Sequence, residues 1–254
     1  MLSNYHTHTV FCDGKDTPEE LVCEAIRLGC PELGFSGHAH VPFEDCCMTP
    51  EGTERYKKEI RRLQEKYGDR IRVYCGVEQD YFSDLPTDDY DYGIGSVHYI
   101  NRNDRFLSVD ESVESFRNTA QTYYAGDFFA FAEDYYALVG QIHEKTGCRI
   151  VGHFDLITKF NEGDSLFDTG DARYRRAALS ALERLSGKGL LFEINTGAMA
   201  RGYRRTPYPA PWLLRELIAR GEGLILSSDC HDKRFLLYGL EEYANTPGIA
   251  PKLF

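Results

Sequence analysis

Residues 223–231 read GLILSSDCH, an unbroken apolar run that closes on an aspartate and a histidine two positions apart. A run without polar alternation is the mark of a strand covered on both faces, as in a parallel sheet wrapped by helices. Working outward, the pattern recurs along the chain. Residues 190–194 end at Asn195, 149–152 at His153, 92–97 at His98, 71–77 at Glu78 and 33–37 at His38, while 2–8 carry His6 and His8. Helix-period stretches lie between these runs. Residues 17–28 open with Thr17 as N-cap, Pro18 at the first helical position and Glu20 completing a capping box; Leu21, Ala25 and Leu28 share a face, and Gly29 ends the helix. Tyr56, Ile60, Leu63 and Tyr67 mark a second helix. Residues 112–146 read as one or two helices broken near Gly126, and further helices fall at 171–186, 211–219 and around 235–243.

Seven strands, most followed by a helix, predict an α/β fold in which the sheet closes or nearly closes into a (β/α) barrel, with an open doubly wound sheet as the alternative. No internal repeat, low-complexity tract or long Pro/Gly/Ser linker divides the chain, so residues 1–254 are expected to form one domain.

Composition narrows the function classes. With 42% hydrophobic and 27% charged residues the chain is globular, not disordered. No apolar run approaches the ~20 residues of a membrane helix, and the N-terminus lacks a signal-peptide pattern, so a cytoplasmic, membrane-free protein is expected. The formal net charge of -11 repels polyphosphate backbones, which argues against nucleic acid as a partner but leaves room for a small anion held by cations. The eight cysteines include no CxxC pair, and Cys46 and Cys47 are adjacent; reduced thiols are expected, with Cys12 and Cys230 filling space beside better ligands.

Seven of the eight histidines, at 6, 8, 38, 40, 98, 153 and 231, stand at or just past a strand's C-terminal end. In a parallel barrel those ends form one rim, so they are expected to meet. His6 and His8 leave the same face of a strand, as do Asp229 and His231 with an oxygen donor in place of one imidazole. Glu78 closes the run VYCGVE, where a carboxylate is costly to bury unless it meets cations; the competing reading is a salt bridge to an arginine. Imidazole and carboxylate donors suit zinc, iron or manganese. His143, inside QIHEK on a helix, is expected at the surface, and the aromatic run from Tyr123 to Tyr136 is expected to pack in the core.

The loop INTGAMARGYRR offers Arg201, Arg204 and Arg205 to a phosphate, and Lys159 follows HFDLIT. Arg204 and Arg205 are expected to be solvated or to pair with some of the surplus acids, leaving Arg201 as the anion contact. No GxGxxG, GxxxxGK[ST] or GxSxG motif occurs, so metal-assisted hydrolysis is the chemistry left standing.

Taken in order, HTHTVFCDGKD, SGHAH, GVEQDY, GSVHY, GHFDLI, EINTG and SSDCH resemble the motifs of the PHP (polymerase and histidinol phosphatase) superfamily from residue 4 to about 234. Chain length, GHFDLI and the INTG loop with its following arginine resemble, within it, the histidinol-phosphate phosphatases of histidine biosynthesis. The resemblance implies a distorted (β/α)7 barrel with three divalent ions. His6, His8, Glu78 and Asp229 would hold the first, Glu78, His98 and His153 the second, and Asp13, His38 and His231 the third, with Asp16 an alternative to Asp13. It also implies positive side chains for phosphate, at Arg201 and Lys159, although lysine at 159 stands where an arginine is expected. His40 is expected to contact substrate or support the ligands.

The expected reaction is hydrolysis of a small phosphate monoester by in-line attack of a hydroxide bridging two ions, with Glu78 and Asp229 at its centre. Asp229, His40 or water could protonate the leaving alkoxide. Rivals are a phosphoesterase acting on nucleotides or another small phosphate, and a metal-binding module without activity.

Overall fold

Local signals place the elements, and alternation within the strands then sorts side chains between two sides of the sheet. The computed structural model describes residues 2–250 and Leu253. Helix α1 (Pro18–Arg27) begins as its sequence dictates: Thr17 Oγ1 accepts from Glu20 N (3.3 Å) and Glu20 Oε2 accepts from Thr17 N (3.0 Å). Leu21 and Ala25 are buried, but Leu28 turns outward and Val22 takes its place in the core. Strand β1 (Glu32–Phe35), helix α2 (Pro50–Tyr67), β2 (Arg72–Asp80) and β3 (Tyr92–Ser96) follow.

After β3 comes a hairpin that the periodicity does not announce, β4 (Tyr99–Arg102) with β5 (Arg105–Ser108). Its two-residue turn uses Asn103 and Asp104 with φ of 52° and 58°, residues that tolerate the left-handed region. The aromatic region divides into α3 (Val113–Tyr124), α4 (Phe128–Val139) and α5 (Ile142–Thr146). Ala125 and Gly126 break it with positive φ, and the Asp127 carboxylate restarts it by accepting from Phe129 N and Ala130 N (3.0 Å each). Phe131, Tyr135 and Tyr136 are buried, so this run packs as expected. Then come β6 (Ile150–Val151), α6 (Ala172–Leu185), β7 (Leu191–Asn195), α7 (Gly197–Ala200), α8 (Pro211–Arg220), β8 (Gly223–Ser227) and α9 (Leu240–Tyr243). The helix expected around 235–243 is instead a 3-10 turn, Lys233–Phe235, and α9, separated by Gly239 at φ 69°.

The main sheet is all parallel, ordered β1-β2-β3-β6-β7-β8. The strand expected at 2–8 does not form a ladder. It makes two isolated bridges, Asn4 to Leu33 on one side and Thr7 to Cys230 on the other, so it lies between two strands and pairs only sparsely with each. Gly34 N and Ser36 N donate to Asn4 O and Thr7 O (2.8 and 3.0 Å), while Cys230 N donates to His6 O (3.0 Å) and His8 N to Cys230 O (2.8 Å). The Asn4 side chain supplies what the ladder lacks, donating to Ser228 Oγ (2.9 Å), Thr7 Oγ1 (3.0 Å) and Leu236 O (3.1 Å). Residues 4–8 thus join the two sheet edges, and the curled sheet with this seventh segment makes a distorted barrel.

Period-two alternation fixes what faces inward. On β2, Val73, Cys75 and Val77 pack with Leu21, Tyr56, Ile60 and Leu63 of the covering helices; on β7, Phe192 and Ile194 join a larger cluster with Tyr136, Tyr174 and Leu182. The intervening Glu78, Glu193 and Asn195 therefore point into the barrel. Below them Tyr5, Tyr92, Ile94, Ile150 and Ile225 form an apolar plug toward the strands' N-terminal ends. The Tyr92 ring crosses Gly34 and Gly76, where a Cβ would collide with it. Among the described residues no helix is long and apolar enough to cross a membrane.

Candidate metal centre

Glu78 is 1% exposed and faces five imidazoles. His6 Nε2, His8 Nε2 and His38 Nδ1 lie 3.1, 3.4 and 3.1 Å from its Oε2, and His98 Nε2 and His153 Nε2 lie 3.3 and 2.9 Å from its Oε1. The arginine partner considered from sequence is not what surrounds it. Asp229 Oδ1 completes one corner, 3.6 Å from His6 Nε2 and 3.3 Å from His8 Nε2. Asp229 itself sits at φ 47°, a left-handed turn that brings its side chain and that of His231 to the same mouth.

These distances match a metal shell. A tetrahedral cation with bonds of ~2.0–2.1 Å separates its donors by ~3.3 Å, and the four contacts among His6, His8, Glu78 and Asp229 fall between 3.1 and 3.6 Å. His6 Nε2, His8 Nε2, Glu78 Oε2 and His153 Nδ1 are buried without a hydrogen-bond partner, a costly state for polar atoms that cations would relieve for the converging donors. Donors also gather as His38, Glu78 and His98, and as His8, Asp13, His38 and His231. His8 and His38 therefore stand between groups, each ring offering a nitrogen to both sides.

Asp13 belongs to this constellation and Asp16 does not. Asp13 Oδ2 is 3.1 Å from His231 Nε2, and its Oδ1 is 3.5 and 3.7 Å from His8 Nδ1 and His38 Nε2. Asp16 instead accepts from Lys233 N (2.7 Å) and pairs with Lys233 Nζ (3.1 Å), fixing the turn after His231. His40 is half-buried and is not among the residues that line the cavity. His143 is half-buried rather than at the surface, its Nδ1 2.9 Å from Cys148 O. Cys230 is buried and donates to Asp232 O (3.1 Å), as befits a space-filler.

Three carboxylates escaped the sequence reading. Glu193 Oε1 lies 2.7 Å from His6 Nδ1; Asp80 Oδ2 accepts from His98 N (2.8 Å) and lies 3.3 Å from its Nδ1; Asp110 lines the cavity. Glu193 lies inside the apolar run 190–194, so a signal related to that of Glu78 was available.

Burial and charge pull in opposite directions here. Burial would lower His6, but Glu193, Glu78 and Asp229 hold it well above its usual value. Burial would raise Glu78, yet His6, His38 and His98 hold it well below the ordinary carboxylate range. At His8 the balance goes the other way: burial, with the charges of His231 and His38, outweighs the nearby acids and pushes it down to about 3. Burial would raise Asp229 as well, and Arg201 with His6 keeps it ionised.

Arg201 reaches the centre from α7, its Nη2 3.0 Å from Asp229 Oδ2 and its Nη1 3.2 Å from Asp229 O. The preceding Gly197 allows this approach, since a Cβ there would lie 2.7 Å from Asp229 Cβ. Arg204 pairs with buried Asp155 at 3.7 Å and Arg205 with Glu162 at 3.9 Å, as expected of residues outside the site. Lys159 lines the cavity but is tied to Asp110, with Nζ 2.6 Å from its carbonyl oxygen and 3.0 Å from Oδ2. The cavity over these groups has a volume of about 430 Å³, in the range of small-molecule sites, and its lining includes Glu44, Asp80, Asp110, Glu111 and Asp232.

Comparison with known proteins agrees with this geometry. The PHP domain family model matches residues 4–197. A protein of Deinococcus radiodurans named "Probable histidinol-phosphatase" is 31% identical over 91% of this chain and 86% of its own, and one of the same name from Schizosaccharomyces pombe is 28% identical over 91% and 81%. In fold, HisK of Listeria monocytogenes overlays with a TM-score of 0.82 at 23% identity, covering 95% of this chain and 99% of that one. The Lactococcus lactis histidinol phosphate phosphatase solved with zinc, L-histidinol and phosphate gives a TM-score of 0.66 at 22% identity, covering 91% and 87%. With its barrel, its ring of imidazoles and carboxylates, and its matched motifs, the chain belongs to the PHP domain family.

Proposed function

We propose that this protein is a metal-dependent histidinol-phosphatase, hydrolysing L-histidinol phosphate to L-histidinol and phosphate. The observation that carries the reading is Glu78, a buried carboxylate with both oxygens met by imidazoles at 2.9–3.4 Å. The names of the relatives supply the substrate.

Three divalent ions would be held by His6, His8, Glu78 and Asp229, by Glu78, His98 and His153, and by Asp13, His38 and His231. Bound there, they supply Lewis acidity toward water and phosphoryl oxygens. The chain's own residues do the rest. Glu78, with imidazoles gathered at each of its two oxygens, would be the ligand common to two of these sites. Arg201, held by Asp229 on one edge, offers its remaining N–H groups to phosphate. Because Arg201 and His6 hold Asp229 ionised, Asp229 serves as ligand and orienter rather than as proton donor to the leaving alkoxide. Lys159, paired with Asp110, lines the cavity without a free ammonium. The acidic residues in the cavity lining suit a substrate that carries an ammonium and an imidazole besides its phosphate.

Residues 1–254 would form one catalytic domain that acts on a small phosphorylated substrate and not on nucleic acid, in keeping with the -11 charge. Free thiols at all the cysteines suit a reducing cytoplasm. The test is turnover of L-histidinol phosphate, nucleoside monophosphates and short oligonucleotides by protein of measured metal content. Metal-dependent release of phosphate from histidinol phosphate is expected; turnover of nucleotides without it would overturn the assignment.

A further inference from the structure

We infer that Glu193 is a positioning residue that fixes the tautomer of His6 and couples the first ion position to the second. The inference rests on the metal reading above, but concerns a residue outside every ligand set.

Glu193 lies on β7, is 1% exposed and has three neighbours at hydrogen-bond distance. Its Oε1 is 2.7 Å from His6 Nδ1; its Oε2 accepts from His153 N (3.0 Å) and from Asn195 Nδ2 (3.1 Å). Two of these three are unambiguous donors, and both are on Oε2. A carboxylate accepts on both oxygens, so the third contact places the proton on His6 Nδ1. With that proton on Nδ1, the neutral ring turns its lone pair outward from Nε2, the nitrogen 3.1 Å from Glu78 Oε2 and 3.6 Å from Asp229 Oδ1. Glu193 thus makes His6 a ligand at the correct atom, and the same carboxylate holds the main chain of His153. Asn195 fixes it in turn, its Oδ1 accepting from Gly197 N (2.9 Å), so the support runs on to the loop that bears Arg201.

The chemistry makes Glu193→Gln a sharp test, since the side chain keeps its shape but half of it becomes a donor. If the amide nitrogen faces His153 N and Asn195 Nδ2, donors meet donors. If it faces His6 Nδ1, that nitrogen must accept, the proton moves to Nε2, and the ligand atom is blocked. Either way metal binding suffers without a cavity being opened.

The experiment is titration of zinc and of manganese into chelator-treated wild type, Glu193→Gln and Glu193→Ala, against a competing chromophoric chelator, with phosphatase rate followed against free metal. The variants are expected to bind at least one ion about 10- to 100-fold more weakly, and to regain rate as free metal is raised. A residue needed only for folding would lower the yield of active protein without moving the metal midpoint. Unchanged affinity in Glu193→Gln overturns the inference, including where Glu193→Ala does not fold. If wild type itself binds no divalent ion, the metal reading fails, a result distinct from the first.

Discussion

Five imidazoles around one buried carboxylate would be an unstable arrangement for their own sake, because neutral rings leave lone pairs facing one another and protonated rings repel. Cations resolve the conflict, and the residue-scale prediction follows. Glu78→Gln should lose bound metal and turnover together, on the order of 10³-fold in kcat/KM, whereas Arg201→Ala should keep its metal and lose about 10²-fold through phosphate stabilisation. Elemental analysis beside steady-state kinetics separates the two. Glu78 could be read from its sequence because a carboxylate ending an apolar run demands a partner. Glu193 sends a related signal from LLFEIN, but its partner is a ring nitrogen on the far side of another ligand, which no spacing encodes. The choice between Asp13 and Asp16 also needed coordinates: three residues apart in one loop, they point to opposite ends of the turn around His231.

At the scale of elements, caps are local and were therefore visible. Thr17→Ala removes the side-chain arm of the α1 capping box, the Oγ1 that accepts from Glu20 N, and leaves the main-chain arm in place. It should cost about 1 kcal/mol, a fall of roughly 2–4 °C in Tm for a chain of this size, with kcat unaltered; a calorimetric scan and an assay check both. What the strand pattern could not convey is pairing. Residues 2–8 have the composition of a strand, yet they pair only sparsely with the strand on either side, and a side chain, Asn4, adds hydrogen bonds where a ladder is missing. The β4–β5 hairpin was missed for the opposite reason: its strands are short and its signal is the pair Asn103-Asp104 alone.

For the whole molecule, protons and metal compete. Burial pulls His38 down, but Glu78 and Asp13 raise it to about 9 in the metal-free protein. A raised histidine stabilises the metal-free fold below its folded value and loses that contribution as pH rises through it. Metal binding must displace this proton, so affinity should climb between about pH 6 and 9, and the Tm gap between loaded and chelated protein should widen over the same interval. Thermal scans with and without chelator across that range measure it; a gap that narrows would contradict the proton count.

The seam at residues 4–8 carries one last implication. Staves need a hoop, and here the first and last staves meet through few main-chain bonds, with His6 and His8 on one and Asp229 and His231 on the other. Ions gripping both would rivet the ring shut, so stripping them should let this joint breathe while the joined strands elsewhere stay closed. Deuterium uptake at the His8 and Cys230 amides should quicken on chelation before that of β2 and β3. The enzyme would then be mechanically whole only when it is chemically armed.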